Sequence, residues 1–127
     1  EIKIGIPPTF GGTQRLPRLL PTAVAKEMLY LGEVLDGEAA LRLGLVNAVV
    51  ARERVLDEAL ALARRLAALP TLALRAAKRL ARIALAADPR TGFEAERLTV
   101  ASLFDTADRR EGMAAFLARR PPVFSGR

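Results

Sequence analysis

The chain has no cysteine and no histidine among its 127 residues. Disulfides, thiolate nucleophiles, imidazole bases and the usual zinc ligands are therefore excluded, and any acid/base chemistry within the chain falls to Asp, Glu, Lys or Tyr. Aromatic residues make up only 5%, so a core has to be built from Leu, Ala and Val. Lysine is scarce as well: Lys3, Lys26 and Lys78 are the only three, and the net charge of +6 is carried almost wholly by arginine. No apolar run approaches the ~20 residues that a membrane-spanning helix needs. What remains is 51% hydrophobic and 27% charged, a balance typical of globular protein. The length suits one domain with a modest core.

The hydrophobic pattern changes character near residue 50. Before it, Ile2, Ile4 and Ile6 alternate with other residues, which predicts a short strand with one buried face. Pro7-Pro8 stops sheet pairing because neither residue donates a backbone N–H. Gly11-Gly12 permits a tight loop, and Thr13 is the expected N-cap of a short helix through Leu16. A helix is predicted over residues 22–31, ended by Gly32 at C′, and another from a cap at Asp36 to Leu43, ended by Gly44. The apolar, β-branched stretch 45–50 reads as a second strand.

After residue 51 the pattern is helical throughout. Val55, Ala59, Leu62, Leu66 and Leu69 form one apolar stripe. Pro70 ends that helix. Leu74, Ala77, Ala81 and Ala84, broadened by Leu80 and Ile83, are expected to form the face of the next, until Asp88-Pro89 breaks it. Helices from Thr91 to about Phe104 and from about Ala107 to Arg119 follow, the last capped by Asp105 or Thr106 and stopped by Pro121-Pro122. The organisation is thus a strand-and-loop region over residues 1–50 and a helical region over 51–127. The stripes suit either a self-contained bundle or contact with a second copy.

Several blocks of the sequence carry a specific likeness. Glu1-Ile2 leads into Gly11-Gly12-Thr13-Gln14-Arg15-Leu16. The blocks Lys26-Glu27-Met28-Leu29-Tyr30-Leu31-Gly32 and Asp36-Gly37-Glu38-Ala39-Ala40-Leu41-Arg42-Leu43-Gly44-Leu45-Val46-Asn47 follow. Ala76-Ala77-Lys78 is a weaker third, and the run from Asp108-Arg109-Arg110-Glu111-Gly112-Met113 to Phe116 and on through Arg119-Arg120-Pro121-Pro122-Val123-Phe124 is the most characteristic. In this order they resemble the enoyl-CoA hydratase/isomerase (crotonase) family, over the second half of that family's usual length.

The resemblance implies a mainly α fold with a short β/loop N-terminal part: the C-terminal half of a crotonase-type α/β spiral followed by an oligomerising helical region. Since the chain opens on Glu1, a large upstream portion is expected. Glu1 falls on the family's Pro-Glu-Ile glutamate, an acid/base at the substrate's α-carbon, which in hydratases pairs with a second, upstream glutamate. The family's oxyanion hole, whose N–H donors are worth roughly 3 kcal/mol each in comparable enzymes, also lies upstream. The loop Pro8, Thr9, Phe10 and Gly11 corresponds to the acyl-pocket lining. Thr9 stands where the family has a small residue, and a β-branched residue there is costly if the backbone needs positive φ. Phe116 and Arg119, three apart on the last helix, correspond to a phenylalanine and a basic residue that approach the adenine and phosphates of coenzyme A bound to a neighbouring subunit.

Each of these residues also has a plainer reading. Glu1 suits an ordinary solvated carboxylate, Phe10 a core aromatic, Phe116 bundle packing and Arg119 a helix C-terminal charge. Asp108, Arg109, Arg110 and Glu111 read as surface residues making local helix pairs. No metal site and no cofactor is expected, coenzyme A entering only as part of an acyl-CoA substrate. The expected activity is addition of water across the 2,3 double bond of an acyl-CoA, with 3,2-enoyl-CoA isomerisation and a non-catalytic oligomerisation module as alternatives. A cytoplasmic homotrimer or hexamer is implied. Scattered arginines without interleaved aromatics argue against a nucleic-acid face, leaving a solvated surface as the simpler reading of the charge.

Overall fold

The alternating isoleucines do not form a strand. In the computed structural model, which describes residues 1–127, Ile2–Ile4 closes a 3-10 turn. Its carbonyl acceptor is Glu1, which takes the amides of Ile4 at 2.9 Å and Ile6 at 3.4 Å. The physical reason is pairing: a strand needs a neighbouring edge, the chain supplies none, and the backbone groups are satisfied locally instead. The face predicted to be buried is open, with Ile4 77% exposed. The stretch 45–50 likewise has no ladder and runs as a turn and extended chain. Its first amide, Leu45 N, is taken by Ala40 O at 2.9 Å, finishing the preceding helix.

The chain folds as two compact units, Glu1–Arg54 and Val55–Arg127. The first holds α1 (Gly12–Leu19), α2 (Thr22–Leu31) and α3 (Gly37–Arg42). Its buried apolar residues are Leu20, Ala25, Leu29 and Ala40. The start of α1 differs from the sequence expectation: the N-cap is Gly11, not Thr13. The Gly11 carbonyl receives Arg15 N at 2.8 Å, so the first helical bond closes two residues earlier and Thr13 sits inside the first turn. Gly32 ends α2 in the left-handed region (φ 64). A Cβ there would also lie 3.1 Å from Ile2 Cγ2, so only glycine both turns the chain and admits the 3-10 turn beside it. Asp36 caps α3 by accepting Ala39 N at 2.7 Å.

The second unit holds α4 (Val55–Ala67), α5 (Thr71–Ala86), α6 (Pro89–Leu103) and α7 (Ala107–Leu117). The α4 stripe exists as a pattern but buries no residue; Val55, Leu62 and Leu66 are all about half exposed. On α5 the half-buried residues are Leu72, Leu74, Ala76, Leu80 and Ile83, so the expected Leu74, Leu80 and Ile83 hold, while the expected alanines Ala77, Ala81 and Ala84 are exposed. The bulkier side chains define the seam, and it lies to one side of the small ones. Arg79 Nη2 reaches across to Thr99 Oγ1 on α6 at 2.8 Å, and that hydroxyl donates to Ala95 O at 2.7 Å. Asp88 caps α6 through Arg90 N and Thr91 N. Because Pro89 is preorganised for a first helical position, α6 begins two residues before the expected Thr91.

Thr106 caps α7. Its hydroxyl accepts Arg109 N at 3.2 Å and donates to Leu103 O at 2.9 Å, tying the end of α6 to the start of α7. Thr106→Ala should therefore cost about 1 kcal/mol of stability, read as a lower urea midpoint at unchanged m value; an unchanged midpoint would show the cap to be idle.

Candidate active site

Glu1 and the loop that follows form the first of two stations. Glu1 is exposed, and no apolar side chains wall it off within this chain. Pro8 is half-buried, while Thr9 and Phe10 are exposed. The loop is tied into α1 by Thr13 N to Pro8 O at 3.2 Å and Gly12 N to Thr9 O at 3.1 Å. Positive φ does arise here, but at Phe10 (φ 51) and Gly11 (φ 95), not at Thr9. The concern that a β-branched Thr9 would be strained is thus overturned, and the strain falls on an aromatic residue that is 94% exposed.

Arg15 holds this conformation. Its Nη2 donates to Phe10 O at 2.6 Å and its Nε to Gly11 O at 3.4 Å. A Cβ on Gly11 would stand 2.9 Å from Arg15 Nε, so the arginine can lie over the loop only because Gly11 has no side chain. Sequence reasoning assigned Arg15 no role. The one available signal was its position four residues after Gly11, which puts its side chain back over the helix start.

The second station is the end of α7. Phe116 is 78% exposed. The expectation that Phe116 and Arg119 share a helix face is corrected: α7 ends at Leu117, and Arg119 lies beyond it in the left-handed region (φ 51). Arg120 N returns to Ala115 O at 3.0 Å, the long bond of a Schellman turn with an arginine where glycine is usual. Spacing of three residues brings side chains together only while the helix continues.

The acids of α7 are also corrected. Asp108 is not a surface residue but 3% exposed. Its carboxylate accepts Ser125 N at 2.6 Å, Ser125 Oγ at 3.2 Å and Gly126 N at 2.9 Å. Glu111 takes both terminal nitrogens of Arg120, Nη1 at 2.6 Å and Nη2 at 2.8 Å, and Val123 N at 2.8 Å. Arg120 first, then the Val123 amide, holds the Glu111 carboxyl down to about 2. A depressed carboxylate stabilises the fold fully above its ordinary range and loses that contribution as pH falls through about 2. No cluster of three or more acidic residues suited to a metal ion is assembled, and no helix is long and apolar enough to cross a membrane.

The family model described as enoyl-CoA hydratase/isomerase matches residues 1–127. The chain belongs to the enoyl-CoA hydratase/isomerase family. Among its relatives, the crotonyl-CoA hydratase of Syntrophomonas wolfei is 40% identical over 124 residues, covering 98% of this chain and 48% of the relative. The 2,3-dehydroadipyl-CoA hydratase of Escherichia coli is 40% identical over 127 residues, covering 100% of this chain and 50% of the relative. The fold agrees with a solved enoyl-CoA hydratase subunit I of Geobacillus kaustophilus at TM-score 0.96 and 41% identity, over 100% of this chain and 49% of that one. The chain thus spans about half the length of these relatives. Within the enoyl-CoA hydratase/isomerase family, hydratase activity is the one these relatives' names carry.

Proposed function

We propose that this chain is the C-terminal half of an enoyl-CoA hydratase, which adds water across the 2,3 double bond of an acyl-CoA thioester. The observation that carries the reading is the pairing, in one short segment, of a carboxylate at Glu1 with an arginine-braced double-glycine loop, in a chain whose relatives are named hydratases. In this scheme the hydroxyl of water bonds to C3 and a proton is delivered to C2. Glu1 gives that proton, or takes it in the reverse direction. A second carboxylate handling the water, and the N–H donors that stabilise the thioester oxygen, come from residues outside this chain. The same residues would wall Glu1 from solvent.

Pro8, Thr9, Phe10 and Gly11 would line the acyl pocket, with the exposed Phe10 ring as one wall. Phe116 and Arg119 would meet the adenine and phosphates of the CoA moiety. No separate cofactor enters. The uncovered α4 stripe supports assembly into a trimer or hexamer through the helical unit. A second reading is 3,2-enoyl-CoA isomerase, in which Glu1 alone would move one proton between C2 and C4; a second carboxylate outside this chain is what separates the two.

Two substrates decide. The complete protein should hydrate crotonyl-CoA, read as loss of the conjugated-thioester absorbance. It should convert a 3-enoyl-CoA poorly, whereas the opposite preference would establish the isomerase. The isolated 127-residue chain should turn over neither, and hydration by it at an ordinary enzymatic rate would overturn the division of the site.

A further inference from the structure

We propose that Glu111 is a positioning residue for the CoA-facing Arg119, holding the turn after α7 that presents the Arg119 side chain. This deepens the reading that Phe116 and Arg119 contact the CoA moiety, and rests on it.

Arg119 occupies a left-handed conformation that disfavours any residue with a Cβ. Such a conformation persists only when the surroundings over-determine it. Here it is pinned on both sides. Before it, the amides of Ala118 and Arg119 are taken by Ala114 O at 3.0 Å and Phe116 O at 3.2 Å. After it, the neighbouring Arg120 is held by its backbone to Ala115 O and by its guanidinium, fork to fork, on Glu111. Arg120 Nη1 also donates to Pro121 O at 3.2 Å. The second Glu111 contact, to Val123 N, stops the chain from swinging away beyond Pro121-Pro122.

The consequence is a division of labour between two adjacent arginines. Arg120 is consumed by Glu111 and is unavailable to a ligand. Arg119, next to it, is exposed and has no hydrogen bond or ion pair through its side chain. A free, exposed guanidinium suits phosphate oxygens, which its planar fork can meet in pairs. Were the Glu111–Arg120 clamp absent, either arginine could compete for the same anion and the turn at Arg119 would relax toward an ordinary backbone conformation.

Three variants of the complete protein test this: Glu111→Gln, Arg120→Lys and Arg119→Glu. Glu111→Gln should raise KM for an acyl-CoA about tenfold with kcat within about twofold, because binding remote from the reacting carbons is lost. Trypsin should cut the Arg119–Arg120 bond roughly tenfold faster in that variant, identified by fragment mass, because the bond is no longer fixed. Arg120→Lys keeps the charge but loses the fork, and should give a smaller change in both readouts in a protein that stays folded by circular dichroism. Faster cleavage with unchanged KM in Glu111→Gln or in folded Arg120→Lys, while Arg119→Glu still raises KM, would leave Glu111 a purely structural clamp and overturn the proposal alone. Unchanged KM in Arg119→Glu would remove the CoA-facing role itself, and the proposal with it.

Discussion

Replacing Glu1 with Gln in the complete protein is expected to lower kcat for crotonyl-CoA hydration by about 10²- to 10⁴-fold, with little change in KM. Glutamine matches glutamate in size but has no exchangeable carboxyl proton to give or take. The fold offers no competing explanation for a loss. The Glu1 side chain is exposed, and its structural work is done by its backbone carbonyl, which accepts from Ile4 and Ile6 and survives the substitution. A kinetic defect without a shift in thermal midpoint would therefore report chemistry. Near-normal kcat would remove Glu1 from the mechanism and leave the braced loop as a binding element only.

Asp108→Ala is expected to be the most destabilising single change in the second unit, by about 3 kcal/mol. Asp108 is almost fully buried and accepts three hydrogen bonds from Ser125 and Gly126. Alanine leaves those two amides, on the exposed Ser125 and the half-buried Gly126, without their acceptor. It also removes a negative charge from the first turn of α7, where the helix dipole favours it. Asp108→Asn, which retains one acceptor oxygen, should lose less. Urea denaturation gives the magnitude, and hydrogen exchange gives the location: the Ser125 and Gly126 amides should lose protection first. A loss under 1 kcal/mol, or protection retained at both amides, would mean that the tail is held by other contacts, such as the Phe124 ring beside Gly112.

The helix ends were the most legible part of the fold. Gly32 closing α2, Asp36 opening α3 and Asp88-Pro89 separating α5 from α6 all behave as their residue types require. The Thr22–Leu31 helix appears with its expected bounds. The errors share a cause. Ile2–Ile4 and residues 45–50 have strand composition, yet composition cannot supply a pairing edge. Arg119 has helical spacing from Phe116, yet the helix stops two residues earlier. Asp108 and Glu111 look like surface acids in a charged run. Their partners, Ser125, Gly126, Arg120 and Val123, stand 9 to 18 residues further on.

By itself, then, the sequence determined the mainly helical character, the positions of most helix caps, the exclusion of thiol and imidazole chemistry, and the family. All of these are set by residue identity or by interactions within three or four positions. Only the tertiary structure decided that the leading isoleucines coil into a turn, that Phe10 bears the loop's left-handed strain under Arg15, and that two acids of α7 bind the C-terminal tail. Those outcomes depend on which hydrogen-bonding groups meet after the chain has folded, and a buried carboxylate or an unpaired strand has no signature until its partners are in place.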